Sequence, residues 1–375
     1  MSSACTTKAD TTLTALHQQL PALEELGAFV LGEGDVIIHA PGFEDRTMAI
    51  ADVPMSGAHF SAVLLDYRPV YSKNRLLDVR NALRARGAQI TDNEIIVYDR
   101  FDPCEFETHL RDRLRDLGSR RAIIDVSTMS KLAIMLVLNV CYSLDLAAVI
   151  LYAEAREYGP SEAEFQKAKK SGAIHRPTLQ VFTGVHGVVR VNSLASVAMQ
   201  GQPTAALVFM SFNDALTQVL LNTVYPSRLF LINSRPPIHS WREEATAWIH
   251  DQVRREWGKD NPVDPKGQDM PLPTRVVSTL DYRETVERLL QLYWQLSADH
   301  RVLLAPAGSK MQAIGCYLVR ALHADIHVEY PSPDGFSPEY STGIGRRWVL
   351  DLGRLAIRLS ELARAERRAY LEIQT

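Results

Sequence analysis

The chain has 375 residues, 41 Lys and Arg against 44 Asp and Glu, a formal net charge of −3 at pH 7 and 46% hydrophobic residues. This composition excludes disordered, collagen-like, coiled-coil and disulfide-stapled classes, and at roughly 100–200 residues per domain the length implies two domains or one duplicated unit. A near-neutral balance without a long Lys/Arg run gives extended duplex nucleic acid no support as a partner, while a local basic pocket stays open.

Cys5, Cys104, Cys141 and Cys316 show neither CxxC nor Cys/His ligand spacing. No metal site, cofactor or disulfide framework is therefore read, and a reducing cytoplasm is the expected compartment. The opening MSSACTTKADTTLT lacks the positive segment and apolar core of a secretory leader. The most apolar stretch, from Leu132 to Val140 and on from Ala147 to Tyr152, is interrupted by Ser143 and Asp145. It falls short of the roughly 20 apolar residues that span a bilayer, so it predicts a buried helix and then a buried strand, with no membrane partner.

Short β-branched runs alternate with amphipathic segments along the chain, which is the pattern of an α/β fold with a mainly parallel, doubly wound sheet. Strands are predicted at Val36–His39, Ala62–Asp66, Glu94–Tyr98, Ala122–Val126 and Ala148–Tyr152, with helices at Leu76–Arg86 and Glu105–Leu117. The alternation resumes with strands near Ala206–Met210, Leu229–Ile232, Arg275–Val277, Val302–Leu304 and Ile326–Val328. Polar, Pro-rich 258–273 predicts a surface loop, and Leu352–Ile373 predicts a closing helix.

Four segments of the two halves match in order, against the alternative that strand, small turn and helix recur in all doubly wound folds. Arg121-Ala-Ile-Ile-Asp-Val-Ser-Thr-Met-Ser-Lys131 aligns with Arg301-Val-Leu-Leu-Ala-Pro-Ala-Gly-Ser-Lys310 through a single-residue gap. Gly42-Phe43-Glu44-Asp45 faces Phe212-Asn213-Asp214, Glu157-Tyr158 faces Glu329-Tyr330, and the segment from Thr183 to Val191 faces the one from Thr342 to Val349. Four matches in one order predict two tandem Rossmann-like modules related by internal duplication. The expected modules are 1–197, with a leading helix, and 198–375, with a closing helix; the boundary falls in the small and polar residues between Asn192 and Pro203.

In open α/β sheets ligands bind at the carboxyl ends of strands, where helix N-termini converge. The turns Asp125–Lys131 and Pro306–Lys310 fall there. Small residues let the backbone approach a phosphate or ribose, hydroxyls donate to it, and a Lys one step into the helix adds a point charge. The bland alternative stays open: Ser127, Ser130 and Ser309 as helix N-caps, with solvated lysines.

Asp125-Val-Ser-Thr-Met-Ser-Lys131 resembles the Asp-Ile-Thr-Gly-Gly-Thr-Lys turn of CRISPR-associated Rossmann fold domains, and Pro306-Ala-Gly-Ser-Lys-Met311 resembles its later portion. The first copy has Thr-Met where that family has Gly-Gly, and the second lacks the leading Asp. Domains of that family pair to bind cyclic or linear oligoadenylate, and the resemblance implies that this chain holds both partners of such a pair. It implies ligand contacts by Ser127, Thr128, Ser130 and Lys131, by Ala307, Gly308, Ser309 and Lys310, and by the loops Gly42, Phe43, Glu44, Asp45 and Phe212, Asn213, Asp214. The function it implies is a sensor of a nucleotide-derived second messenger in bacterial antiviral defence that signals to a separate effector. An enzyme acting on a nucleotide or phosphosugar, such as a phosphodiesterase degrading the messenger, is the alternative.

Other constellations read less specifically. Asp99, Asp102 and Glu105 fit a helix start, as do Asp281 and Glu284. Glu154, Arg156, Glu157 and Tyr158, with Glu329, Tyr330 and Asp334, fit either a cleft rim or a solvated loop. Tyr67, Arg68, Tyr71, Lys73 and Arg75, with Arg235, Trp241 and Arg242, fit base stacking or, more simply, anchored loops. His39, His186 and His239 lie near strand ends without a partner that sequence can name. No GxGxxG joins a strand to a helix, which disfavours a dinucleotide-binding dehydrogenase or a P-loop enzyme.

Overall fold

The computed structural model describes residues 19–56, 60–172, 181–258 and 274–374. The leading helix and most of the expected 258–273 loop lie outside these residues. The chain forms two compact units, one made of the residues up to Glu157 together with Ser341 onward, the other of Tyr158–Tyr340. Both are Rossmann-like α/β units.

The first unit carries parallel strands β1 (Asp35–His39), β2 (Phe60–Arg68), β3 (Ile95–Asp99), β4 (Arg121–Asp125) and β5 (Ala147–Ala153). A 3-10 helix, Asp45–Asp52, follows β1, and α1 (Leu76–Ala85), α2 (Phe106–Asp116) and α3 (Lys131–Ser143) make the later crossovers. Strand β1 pairs with both β2 and β4, while β3 flanks β2 and β5 flanks β4. The order is thus third, second, first, fourth, fifth. All five residues of β1 are buried, as expected of a parallel strand covered on both faces. Helix α3 is apolar around its circumference, with Leu132–Leu138, Val140 and Cys141 buried. Burial pushes the Cys141 thiol up to about 12, so it packs as an inert apolar group.

The second unit begins with α4 (Glu162–Ser171) and carries β6 (Thr204–Phe209), β7 (Arg228–Arg235), β8 (Thr274–Ser278), β9 (Arg301–Ala305) and β10 (His327–Val328). Helices α5 (Asp214–Val224), α6 (Trp241–Ile249), α7 (Asp251–Glu256), α8 (Tyr282–Leu296) and α9 (Lys310–Leu322) connect them. Its parallel sheet runs β8-β7-β6-β9-β10, the same order relative to the chain as in the first unit. Every strand predicted from the pattern is present, with ends moved by at most three residues.

After the second unit the chain forms β11 (Arg347–Arg354) and α10 (Leu355–Gln374). Strand β11 does not complete the second unit; it pairs antiparallel with β5 from Arg347 opposite Ala153 to Arg354 opposite Ala147. The matching early segment, Gly187–Val189, pairs antiparallel with Tyr330–Ser332 beyond β10. Each unit is therefore closed by the segment that follows the other unit's fifth strand. This corrects the expected division at 192–203: the chain passes between units at Glu157/Tyr158 and Tyr340/Ser341. The reason is energetic, since an unpaired edge on β5 would leave a row of backbone donors and acceptors without partners.

His250 illustrates how the second unit's core handles a polar side chain. It is fully buried, with Nδ1 3.0 Å from the Thr246 carbonyl and Nε2 3.0 Å from Thr217 Oγ1. The carbonyl only accepts, so Nδ1 carries the proton, and burial lowers the imidazole to about 4.

The exchange makes a direct prediction. A protease site introduced at 198–202, where Gln200–Gln202 are exposed, yields two pieces on cleavage. Both pieces supply strands to both units, so they are expected to co-elute on size exclusion with unchanged circular dichroism; separate elution would contradict the exchanged pairing.

Candidate functional site

The connections from β1 and β4 leave in opposite directions, so a crevice opens at the carboxyl ends of this pair. Gly42, Phe43, Glu44 and Asp45 follow β1, and Ser127, Thr128, Ser130 and Lys131 follow β4, so the predicted residues of the first unit meet at this switch point. Those of the second unit meet at the equivalent β6/β9 point.

At the floor of the first site, His39 and Asp125 end their strands in register, with Nδ1 3.1 Å from Oδ2 and both side chains almost wholly buried. His39 Nε2 lies 3.2 Å from Thr47 Oγ1, which accepts from the Gly42 amide at 3.0 Å and lies 3.2 Å from Thr128 Oγ1. Thr128 in turn donates to the Ala40 carbonyl at 2.7 Å. A Cβ at Gly42 would approach Thr128 Cβ to 3.0 Å, so this position favours glycine by contact rather than by dihedral angle. Asp125 Oδ1 accepts from the Ser127 amide at 2.9 Å, which closes the turn after β4. A cavity with room for about one water adjoins Asp125 and Ser127, walled by Ile50, Val53, Leu151 and Arg347 among others.

Above this floor lies the start of α3. Ser130 is its N-cap, accepting from the Ala133 amide at 3.1 Å. The Ser130 amide donates to Tyr67 Oη at 2.8 Å, while that phenol donates to the Thr128 carbonyl at 3.3 Å. Burial raises the Tyr67 phenol above its ordinary range, so it remains a protonated bridge. Tyr98 packs edge-on against Tyr67 at 5.6 Å. Lys131 follows the cap, half-buried; desolvation lowers its amine to about 8, with Glu44 opposing the shift and Arg46 adding to it.

Glu44 and Arg46 form a buried pair, with Nη2 2.8 Å from Oε2. Burying two charges is favourable only when their remaining polar atoms are bonded. Here Ser341 Oγ donates to Glu44 and Arg46 also reaches the Ala153 carbonyl. Asp45 is exposed and accepts from the Gly343 amide at 2.8 Å, and Ser127 Oγ accepts from the Ala153 amide at 2.8 Å. Phe43 meets Tyr71 edge-on at 5.2 Å.

The second unit's site is chemically different. Val208 and Ala305 pair in register near the ends of the strands that correspond to β1 and β4. Asn213 caps α5 through the Ala215 amide at 3.0 Å, and Asp214 accepts from Gln218 at 3.2 Å. Ser309 caps α9 in a capping box with Gln312 and donates to the Thr279 carbonyl at 2.6 Å. Buried Gln312 also donates to Ser234 Oγ and to the Ser278 carbonyl, both at 3.1 Å. Its side chain leaves no room for a Cβ at Gly308; Ala307 is buried, and Lys310 is half-buried at the helix start. Phe212 lies under the Arg242 guanidinium at 4.6 Å, and Arg242 donates to the carbonyls of Tyr158, Gly159 and Pro160.

Several other candidates have structural partners. Glu154 accepts from Trp348 Nε1 at 2.9 Å, Glu329 binds His327 and Arg190, Arg68 pairs with Asp66, and Arg235 pairs with Glu284. Asp281 caps α8, whereas Asp102 only closes the turn before α2. Sequence reasoning did not single out Arg46 and Thr47, or pair His39 with Asp125. The readable signal was a polar residue ending each of two otherwise apolar strands.

No protein-family model matches the chain, and a search of curated proteins finds no significant match. Among the described residues there is no cluster of His, Cys, Asp and Glu suited to a metal ion, and no helix long and apolar enough to cross a membrane.

The Lys131 environment gives a pH prediction. Its amine falls from 10.5 to about 8 on folding, so between these values the unfolded chain binds more protons and wild-type stability gains with rising pH. Below pH 8 the charged amine is held at full cost. Lys131→Met is therefore expected to be more stable than wild type near pH 7, with the difference shrinking by pH 10. Urea unfolding at the two pH values measures this, and a constant difference would refute it.

Proposed function

We propose that the chain is a regulatory protein that binds a nucleotide-derived second messenger, an oligonucleotide of bacterial antiviral defence, and passes its occupancy to a separate effector in the cytoplasm. The observation that carries this reading is the position of Lys131, half-buried on the first residue of α3 at the point where the strand order reverses. A helix start with a capped Ser and an adjacent cation suits a phosphate, and the crevice suits a nucleotide. The resemblance of Asp125–Lys131 to the oligoadenylate-binding turn supports the same ligand class.

We further infer that the two units are copies of one ancestral module. The shared strand order and the Ser-Lys pair at both fourth-strand turns support this. The copies differ in their polar groups: His39, Asp125, Glu44 and Arg46 are buried about the first turn, while Gln312 and Ser234 adjoin the second. The first turn resembles the oligoadenylate-binding turn over its full length and the second only over its later portion, so recognition falls mainly on the first unit. The alternative, turnover of a nucleotide or phosphosugar, finds its best support in the Asp125–His39–Thr47 line, which is enclosed and holds the loop.

A thermal-shift panel of cyclic and linear oligonucleotides, mononucleotides and phosphosugars, with mass spectrometry of each hit, tests the reading. Ligand at 100 times its Kd stabilises by about 2.7 kcal/mol, enough to be seen. The expected result is a shift with intact ligand, abolished by Lys131→Ala and weakened less by Lys310→Ala. A shortened or dephosphorylated product would indicate an enzyme, and silence across the panel would defeat the nucleotide reading.

A further inference from the structure

Three residues that the resemblance implies as ligand contacts, Glu44, Asp45 and Ser127, are bonded to the segments through which the chain leaves and re-enters the first unit. On the outgoing side, Ser127 Oγ accepts from the Ala153 amide at 2.8 Å and Arg46 reaches the Ala153 carbonyl, four residues before the crossing at Glu157/Tyr158. On the returning side, Ser341, the first residue back in the unit, donates to Glu44, and the Gly343 amide donates to Asp45 at 2.8 Å. Arg347 adds an ion pair with Asp52 at 3.2 Å.

The two segments are also laced to each other. The Arg156 amide donates to the Thr342 carbonyl at 3.1 Å, the Glu154 amide to Arg346 at 2.9 Å, and the Gly345 amide to Glu154 at 2.8 Å. A Cβ at Gly345 would lie 2.9 Å from the Ala155 carbonyl oxygen, so the strands approach closely there. The two ends of the same short loop are fastened to each other and to the strand-end site through Gly42, Thr47, Thr128 and His39.

We propose that the Gly42–Thr47 loop is a coupler that transmits occupancy of the β1/β4 crevice to the returning chain crossing through Glu44–Ser341 and Asp45–Gly343. The trigger rests on the ligand reading above. An anion seated at the start of α3 orders the turn that Thr128 ties to Thr47, and Thr47 to Gly42, which tightens the loop's hold on the returning segment. Coupling of this kind is reciprocal: loosening the returning segment must weaken ligand binding by the same factor that binding tightens it.

Amide hydrogen exchange of the full chain tests the coupler with and without ligand. Asp45 is exposed, so Asp45→Ala removes the acceptor of the Gly343 amide without disturbing the core, and exchange over 341–347 is expected to quicken about tenfold or more. Thr47→Val, which breaks the loop's contacts with Gly42, His39 and Thr128 and is hydrogen-bonded to none of 341–347, is expected to quicken exchange over the same residues; Thr128→Ala, on the far side of the crevice, replaces it if the first variant does not fold. Unchanged exchange at 341–347 in a folded variant of these strand-end contacts would overturn the coupler. In the ligand arm the probes are cyclic tetraadenylate and linear tetraadenylate. A probe that raises Tm and slows exchange at 341–347 in wild type, but not in Asp45→Ala, supports the proposal. A probe that raises Tm and leaves 341–347 unchanged overturns the coupler while keeping the ligand reading. If neither probe binds, oligoadenylate recognition fails, and the strand-end variant alone decides the coupler.

Discussion

Parallel pairing of the first and fourth strands is the constraint on which the rest of the structure depends. Because the chain winds outward from β1 through β2 and β3 and then crosses back to β4, loops diverge where β1 and β4 end side by side. Backbone hydrogen bonding thereby brings His39 opposite Asp125 and sets the Gly42–Thr47 loop against the Ser127–Lys131 turn. The second unit obeys the same constraint through β6 and β9, but Val208 and Ala305 pair where polar groups meet in the first. One topology thus supports a buried ionic network in one unit and an internally capped amide and hydroxyl network in the other.

A second constraint is the demand of each fifth strand for a partner. Strand β5 finds it in β11, from the far end of the chain, and the segment beyond β10 finds it in Gly187–Val189. The exchange accounts for the two chain crossings and for the position of Ser341 and Gly343 beside the strand-end loop. Glu44 and Arg46 are buried as a pair at that junction, where loss of either partner would leave an uncompensated charge. The same side chains that shape the crevice therefore also hold the chain's return, which is the physical basis of the coupling proposed for the loop.

Much of this was legible beforehand, for particular reasons. Val36-Ile-Ile-His39 and Ala122-Ile-Ile-Asp125 read as strands because continuous β-branched runs suit a sheet covered on both faces. Ser130 and Ser309 read as helix starts because a hydroxyl before an apolar run satisfies a free amide, and both do so. Less legible were the roles of Glu44, Asp45 and Ser127. Their partners, Ser341, Gly343 and Ala153, lie elsewhere along the chain, and no local spacing announces them.

The amino-acid order by itself determined the alternation of strands and helices, the two small-residue turns and the presence of a Lys at each helix start, since these follow from propensity, periodicity and local capping. Tertiary structure alone decided that Asp125 meets His39, that Tyr67 bridges the Thr128 carbonyl and the Ser130 amide, and that the two closing segments change places. Those outcomes depend on which distant strands become neighbours. That choice is made by burying the sheets and satisfying their edges, and no short stretch of sequence carries it.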